Sequence, residues 1–510
     1  MLQFMPVAPL DLLRRDEGAR RFLVLLILYL GLHFALRLLS IDALQRDEAA
    51  QMLFSQSLAL GYDTQPPLYT WLVWSVFQLT GPGILGLGIV KYLLLALSYG
   101  ALYCSARLVL RDPQLALLAA FSLLLLPTFS WESLRDLTHS VLASSLSAVT
   151  FLVVLQLRRH PQLRWYVLLG AFIGLGHLAK YNFALFAAAL LLGSLADHTL
   201  RARLLDRRLL WAVGAALAVM APHALWMVQH RELLQTFLSN ETHAGVPSSH
   251  LRGILQGLAN FGLNALAFLT PFWLVWLALF PQSLRRPQNP PLSEDPALLL
   301  NFLLAVGAVC VVLIFGFGFK RFQERWFAPL LFILPVYLFA RLQQTPKNPQ
   351  RLRLYGHLLW CAACLVIIGR IGQLWLAPLL DKYPLVRLPS REFALQLQTA
   401  GFDNGTIVTS AELLAGNLRL HLPKARVVSL GAKAYTPPQR PATGQCLLVW
   451  KITAASQEPP PWLLAEFERR YGKLPATPVV GQVSAPLIGS QDRFQRLGYL
   501  RLADGLGDCH

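Results

Sequence analysis

The chain has 510 residues, 55% hydrophobic and 14% charged, and lysine plus arginine outnumber aspartate plus glutamate 45 to 27, a formal net charge of +18. A soluble domain carries about 25% charged residues, so a water-soluble globular chain is excluded, and six cysteines in this length exclude a disulfide scaffold. Nor is the positive charge a nucleic-acid footprint, because the cations fall in alternate loops between apolar runs.

Residues 1–21 read as a short cytoplasmic lead carrying Arg14, Arg15, Arg20 and Arg21. Runs long enough to cross roughly 30 Å of hydrocarbon follow. They lie near 22–40, 84–106, 114–131, 137–157, 165–179, 182–197, 209–228, 258–281, 297–319, 326–340 and 355–377, about eleven helices. The first is longer than the core of a secretory signal, and no small-residue cleavage site follows it, so it reads as an uncleaved anchor. Cations gather after every second span, at Arg107 and Arg111, Arg158 and Arg159, Arg201 to Arg208, Arg285 and Arg286, and Arg341 to Arg353. The positive-inside rule puts these loops and the amino terminus in the cytoplasm. The first loop after span one and the carboxyl-terminal segment are then outside.

That first external loop, 41–83, is too long for a turn. It holds Arg46-Asp47-Glu48, then two apolar stretches, 49–60 and 68–79, punctuated by Gly61 and Pro66-Pro67. Both are too short to span and read as helices lying in the interface, with Trp71 and Trp74 at headgroup depth. Adjacent carboxylates at the mouth of a membrane segment suit a general base, or an anchor for a sugar or metal. They also suit a helix start, where the dipole favours negative charge. Lys91 sits within the second span and reads as a snorkelling cation.

Three later groups carry charge at the same face. Arg135-Asp136 falls in the short turn between spans three and four, as a cap or as a lining of the external cavity. Lys180-Tyr181-Asn182 interrupts an apolar stretch, where a lysine is either at a turn exposed to water or a phosphate ligand. Lys320-Arg321 and Arg325 stand outside, against the charge rule, and either pair with Glu324 and lipid headgroups or bind an external phosphate.

Residues 378–510 lack a spanning run and read as a small α/β domain. Strands are expected at 405–410, 425–430 and 446–451, and helices at 411–420 and 462–471. No phosphate-cradling glycine fingerprint occurs there. Cys446 and Cys509 both fall in this exported segment, and a bridge between them is left open.

Arg46-Asp47-Glu48-Ala49 followed by Gly61-Tyr62-Asp63-Thr64-Gln65-Pro66-Pro67-Leu68 resembles the first external loop of lipid-phosphate-dependent glycosyltransferases of the GT-C class. The nearest types are the protein-mannosyltransferase-like enzymes of glycosyltransferase family 39 and the aminoarabinose transferase of lipid A. Leu178-Ala179-Lys180-Tyr181 resembles a later signature of the same family, and Ile407 to Ser410 with His421-Leu422-Pro423 is similar to the external domain of bacterial members.

The resemblance implies a GT-C-like, all-α polytopic membrane domain over 22–377 and a periplasmic α/β domain over 378–510. It implies Asp47 as the catalytic carboxylate, with Glu48 and Asp136 beside it, and Lys180 on the donor phosphate. Relatives carry a His or Lys where this chain has Gln65, so the missing cation is expected from Arg135, Lys320 or Arg325, with Arg321 in the same phosphate-binding group. The implied enzyme sits in the bacterial inner membrane and moves a sugar, hexosyl or pentosyl, from a polyprenyl-phosphate donor to an envelope acceptor: lipid A, a lipopolysaccharide saccharide, another glycolipid or protein. A divalent cation is left open, since the paired carboxylates lack a ligand spacing. The alternative is a transporter or flippase of lipid-linked sugars.

Overall fold

The computed structural model describes residues 17–232, 250–284, 295–346, 348–376, 380, 387–432, 434–439, 444–453, 456–475 and 478–510. Most of the expected lead, Arg285, Arg286, Lys347 and the expected boundary at 377 and 378 lie outside them. The chain divides into two compact units. A helical unit takes in Met1–His33, Thr64–Pro66 and Tyr92–Ile368; a sheet unit takes in Phe34–Asp63, Pro67–Lys91 and Gly369–His510.

Among the described residues, six helices are long and apolar enough to cross a membrane: Glu17–Leu38, Ile84–Val109, His139–Arg159, Leu209–Gln229, Asp295–Phe317 and Pro349–Gln373. Four bent pairs pass the same test together, Pro113–Leu125 with Thr128–Arg135, Phe183–Ala196 with His198–Leu204, Leu251–Leu269 with Phe272–Leu279, and Glu324–Leu331 with Leu334–Leu342. With the shorter apolar helix Leu163–Ala179, they occupy the eleven stretches expected from sequence. The chain is a membrane protein.

Local chemistry accounts for the bends. Pro127 and Pro271 sit at two of the breaks, where a missing N–H and a fixed φ end one helix and start the next. At a third, Asp197 caps the second limb by accepting from the Leu200 N–H at 2.9 Å. The same carboxylate belongs to a buried network. Arg158 reaches Asp197 at 3.2 Å and Asp295 at 3.0 Å, and Arg159 reaches Asp295 at 2.8 Å. Such pairs fix geometry more than they add net stability, but removing one partner strands a buried charge. Deeper in the unit, the rings of Phe151, Phe186, Phe302 and Phe332 pack edge and face against one another.

The sheet unit is built on five strands, β1 (Gly405–Thr409), β2 (Arg426–Ser429), β3 (Gln445–Ile452), β4 (Val479–Pro486) and β5 (Phe494–Leu502). Their order is β2-β1-β3-β5-β4, with β2, β1 and β3 parallel and β5 and β4 antiparallel. β1 and β2 are buried along their whole length, as parallel strands covered on both faces must be. Alternate residues serve the two faces. Ile407, Val427 and Leu447 meet Phe393, Leu397, Leu414 and Leu418 of helices Ser390–Thr399 and Glu412–His421. Val408, Val428 and Leu448 meet Leu463, Phe467 and Tyr471 of helix Pro461–Tyr471. Cys446 and Cys509 are disulfide-bonded within that second layer.

The first face also holds part of the first loop. Leu53, Phe54 and Tyr62 belong to the same core as the sheet, with Trp71 packed against it. Trp71 donates its indole N–H to the Ala59 carbonyl at 2.7 Å. The Trp71 ring is thus partly buried against the sheet unit's core.

Candidate active site

The helix Arg46–Phe54 is the centre of the site in the sheet unit. Gln45 precedes it in extended conformation, and Glu48, three positions on, turns back to accept the Gln45 N–H at 3.3 Å. This reciprocal start satisfies a donor that the helix leaves open. The same carboxylate is 4% exposed and takes two cations. Arg37 approaches at 2.9 Å and Lys91 at 3.1 Å, one on each oxygen. Burial alone would raise the Glu48 carboxyl, but the charges of Arg37 and Lys91 outweigh it and bring the carboxyl down to about 2. Arg37 also donates to the Ala43 carbonyl at 3.0 Å, so the segment before the helix is tied to the same centre. Lys91, read as snorkelling, is an ion-pair partner.

Asp47 is one residue earlier and half-exposed. The first turn therefore carries one locked carboxylate and one that reaches water. The charge on Asp47 is felt by two neighbours. Burial, then Glu48 and Asp47, push the buried Tyr69 phenol well above its ordinary range. Burial, then Asp63 and Asp47, push the Glu412 carboxyl up to about 7, against an opposing contribution from Arg46. Glu412 begins helix Glu412–His421. Neither Glu412 nor Asp63 was expected from sequence.

That helix is clasped to the first loop by backbone contact. A Cβ on Gly416 would lie 2.1 Å from the Ala49 carbonyl oxygen, so only glycine admits this approach. Next to it, Asn417 accepts the Leu44 N–H at 2.9 Å and donates to the Leu44 carbonyl at 3.3 Å. Arg419 donates to the Met52 carbonyl and to Ser55 Oγ. Gln56 completes the edge of the sheet. Its amide donates to the Val427 carbonyl at 2.7 Å and accepts the Val427 N–H at 2.9 Å, pairing the outer side of β2.

The remaining expected site residues belong to the helical unit. Lys180 follows helix Leu163–Ala179 and donates to Ser140 Oγ at 2.7 Å. The His139 ring lies 3.1 Å from the Ala179 carbonyl. The turn holding Asp136 and the turn holding Lys180 are thus joined through adjacent residues of one helix start. Asp136 donates its N–H to the Glu132 carbonyl at 2.9 Å. Arg135 is paired to Glu132 at 2.7 Å, so its charge is already shared. Lys320 and Arg321 lie in the link between Asp295–Phe317 and Glu324–Leu331, and Arg325 bonds Gln323 at 2.7 Å. Helix Glu324–Leu331 packs on both Thr128–Glu132 and His139–Arg159. Gln65 is half-buried in the short stretch of the loop that belongs to this unit. Among the described residues, no group of three or more His, Cys, Asp or Glu has a metal-holding arrangement.

Residues 64–226 match a family model described as dolichyl-phosphate-mannose-protein mannosyltransferase. A lipopolysaccharide core galacturonosyltransferase of Rhizobium johnstonii, RgtB, is 32% identical over 482 residues, covering 93% of this chain and 96% of the relative. A second from the same organism, RgtA, is 30% identical over 494 residues, with 93% and 96% covered. Among solved structures, ArnT from Cupriavidus metallidurans bound to undecaprenyl phosphate has a TM-score of 0.57, with 94% of this chain and 97% of that chain covered. At 14% identity that likeness is one of fold.

Proposed function

Because the chain belongs to the lipid-phosphate-dependent GT-C glycosyltransferases of protein-mannosyltransferase-like type, we propose that it moves a galacturonosyl residue from a polyprenyl-phosphate donor to the saccharide core of lipopolysaccharide. The site faces the periplasm from the bacterial inner membrane, with the amino terminus in the cytoplasm. The observation that carries this reading is the relationship, over nearly the whole chain, to two lipopolysaccharide core galacturonosyltransferases.

The residues divide the work. Asp47 takes the proton from the acceptor hydroxyl as its oxygen attacks the anomeric carbon and the bond to the donor phosphate breaks. The polyprenyl phosphate leaves with the bonding electrons, and the anomeric centre is inverted. Lys180, Lys320, Arg321 and Arg325 meet the negative charge that grows on the departing phosphate, with Asp136 and Arg135 shaping the turn beside them and Gln65 offering hydrogen bonds. A uronic acid donor brings a second negative group, which gives the cluster of external cations a further partner. Glu48, locked between Arg37 and Lys91, is a positioning residue that holds the helix on which Asp47 stands.

Mass spectrometry of lipopolysaccharide from a deletion strain and its parent tests the assignment. The deletion should lose the mass of one hexuronic acid from the core, and restoring the intact gene should return it. Loss of a different sugar, or an unchanged core, overturns the substrate.

A further inference from the structure

The first span carries a groove whose lining includes none of the residues assigned to the transfer. Its inner part is an apolar cleft of about 300 Å³ between helices Glu17–Leu38, Pro113–Phe121 and Pro349–Trp375, lined by Leu25, Leu28, Phe121, Leu359 and Trp360 among others. Leu28 and Trp360 are 62% and 58% exposed, so the cleft opens sideways. Leu25, Leu117 and Leu118 also line a wider cavity of about 870 Å³ at the start of the span. That mouth carries Arg20 and Arg21, and Glu17 and Asp112. Arg21 and Glu17 pair at 2.5 Å, and Asp112 caps the neighbouring helix by accepting the Gln114 N–H at 2.9 Å.

We infer that this groove is a binding site for a phospholipid whose headgroup carries both a phosphate and a primary ammonium, with one acyl chain in the cleft. The charge pattern selects that chemistry. Two guanidinium groups suit a phosphate, and two carboxylates suit a cation that donates hydrogen bonds. A purely anionic headgroup leaves Glu17 and Asp112 repelling it, and a quaternary ammonium has no N–H to give them. The spacing agrees with a lipid lying along a span. Arg21 and Leu28 are about 10 Å apart along the helix axis, with the charged mouth at the helix start and the apolar cleft further in.

The site is tested on the purified full-length protein in bilayer nanodiscs, with Trp360 as reporter. Phospholipids with brominated acyl chains quench nearby tryptophan, and subtracting the signal of a Trp360→Phe variant isolates this residue. Phosphatidylethanolamine should half-quench Trp360 at a mole fraction about fivefold lower than phosphatidylcholine or phosphatidylglycerol; Glu17→Gln should shrink that advantage, whereas Arg20→Ala, which removes a partner of the phosphate all three share, should raise the half-quenching mole fraction of each about fivefold. Arg20 is exposed at the helix start, so its loss leaves the core unaltered. Equal half-quenching by all three lipids would make the cleft a surface wetted by bulk lipid and overturn the site. Preference for phosphatidylglycerol, or no quenching specific to Trp360, overturns it as well.

Discussion

Two glutamates on two packed helices of the sheet unit meet opposite fates. Glu48, on Arg46–Phe54, is more deeply buried than Glu412, on Glu412–His421, yet its carboxyl falls to about 2 while that of Glu412 rises to about 7. Burial raises both. The difference lies in the partners: Arg37 and Lys91 surround one, whereas Asp63 and Asp47 face the other. Depth alone does not decide whether a carboxylate is ionised; the sign of its neighbours does. The first group anchors a helix, and the second can exchange a proton near neutral pH.

The largest effect expected in this comparison comes from Glu48→Gln. It leaves Arg37 and Lys91 buried without their anion, a loss of about 3–5 kcal/mol, to be read as a lowered melting temperature of the detergent-purified protein. An unchanged melting temperature would sink the anchor. Gly416→Val is next. Its side chain overlaps the Ala49 carbonyl and should cost about 1–3 kcal/mol, with a parallel fall in transfer rate as the helix bearing Asp47 is displaced. Full stability with the bulkier side chain in place would mean the two helices can separate without consequence.

The smallest effect is Glu412→Gln, and its sign is specific. The folded carboxyl holds its proton up to about 7, above the unfolded value of about 4.3, so the folded state binds the proton more tightly. Stability is therefore fully present at low pH and falls as pH rises from the unfolded value to about 7. The amide variant should lose that decline, and its melting temperature relative to wild type should rise between about pH 4 and 7 and level off above. Glu48 behaves oppositely: its contribution is present above the unfolded value and is lost only as pH falls toward about 2. A parallel pair of melting curves for wild type and Glu412→Gln would remove Glu412 from the comparison.

Much of the fold was legible because its signals are local. Hydrophobic run length marked the spans, and short buried apolar runs such as Ile407-Val408 marked the parallel strands. β4 and β5 and helix Ser390–Thr399 were not marked. β4 is a sheet edge with Gly481, Gln482 and Ser484 in it and mostly exposed positions, and β5 is interrupted by Arg496, Gly498 and Arg501. At the site, the acidic pair was visible from its position after the first span. Its division of labour was not, because Lys91 is 43 residues from Glu48 and Glu412 lies in another part of the chain. One signal was available: a lone lysine in an apolar helix requires an anion, but the spacing along the chain does not single out Glu48, because Asp63 and Asp112 both lie closer to Lys91 in sequence.

The central claim is that Asp47 performs proton transfer while Glu48 only holds it in place. The direct measurement is the transfer rate and melting temperature of Asp47→Asn, side by side with wild type. The account predicts a rate lower by about 10²–10⁴-fold at an unchanged melting temperature. Near-normal transfer by a folded Asp47→Asn would contradict it.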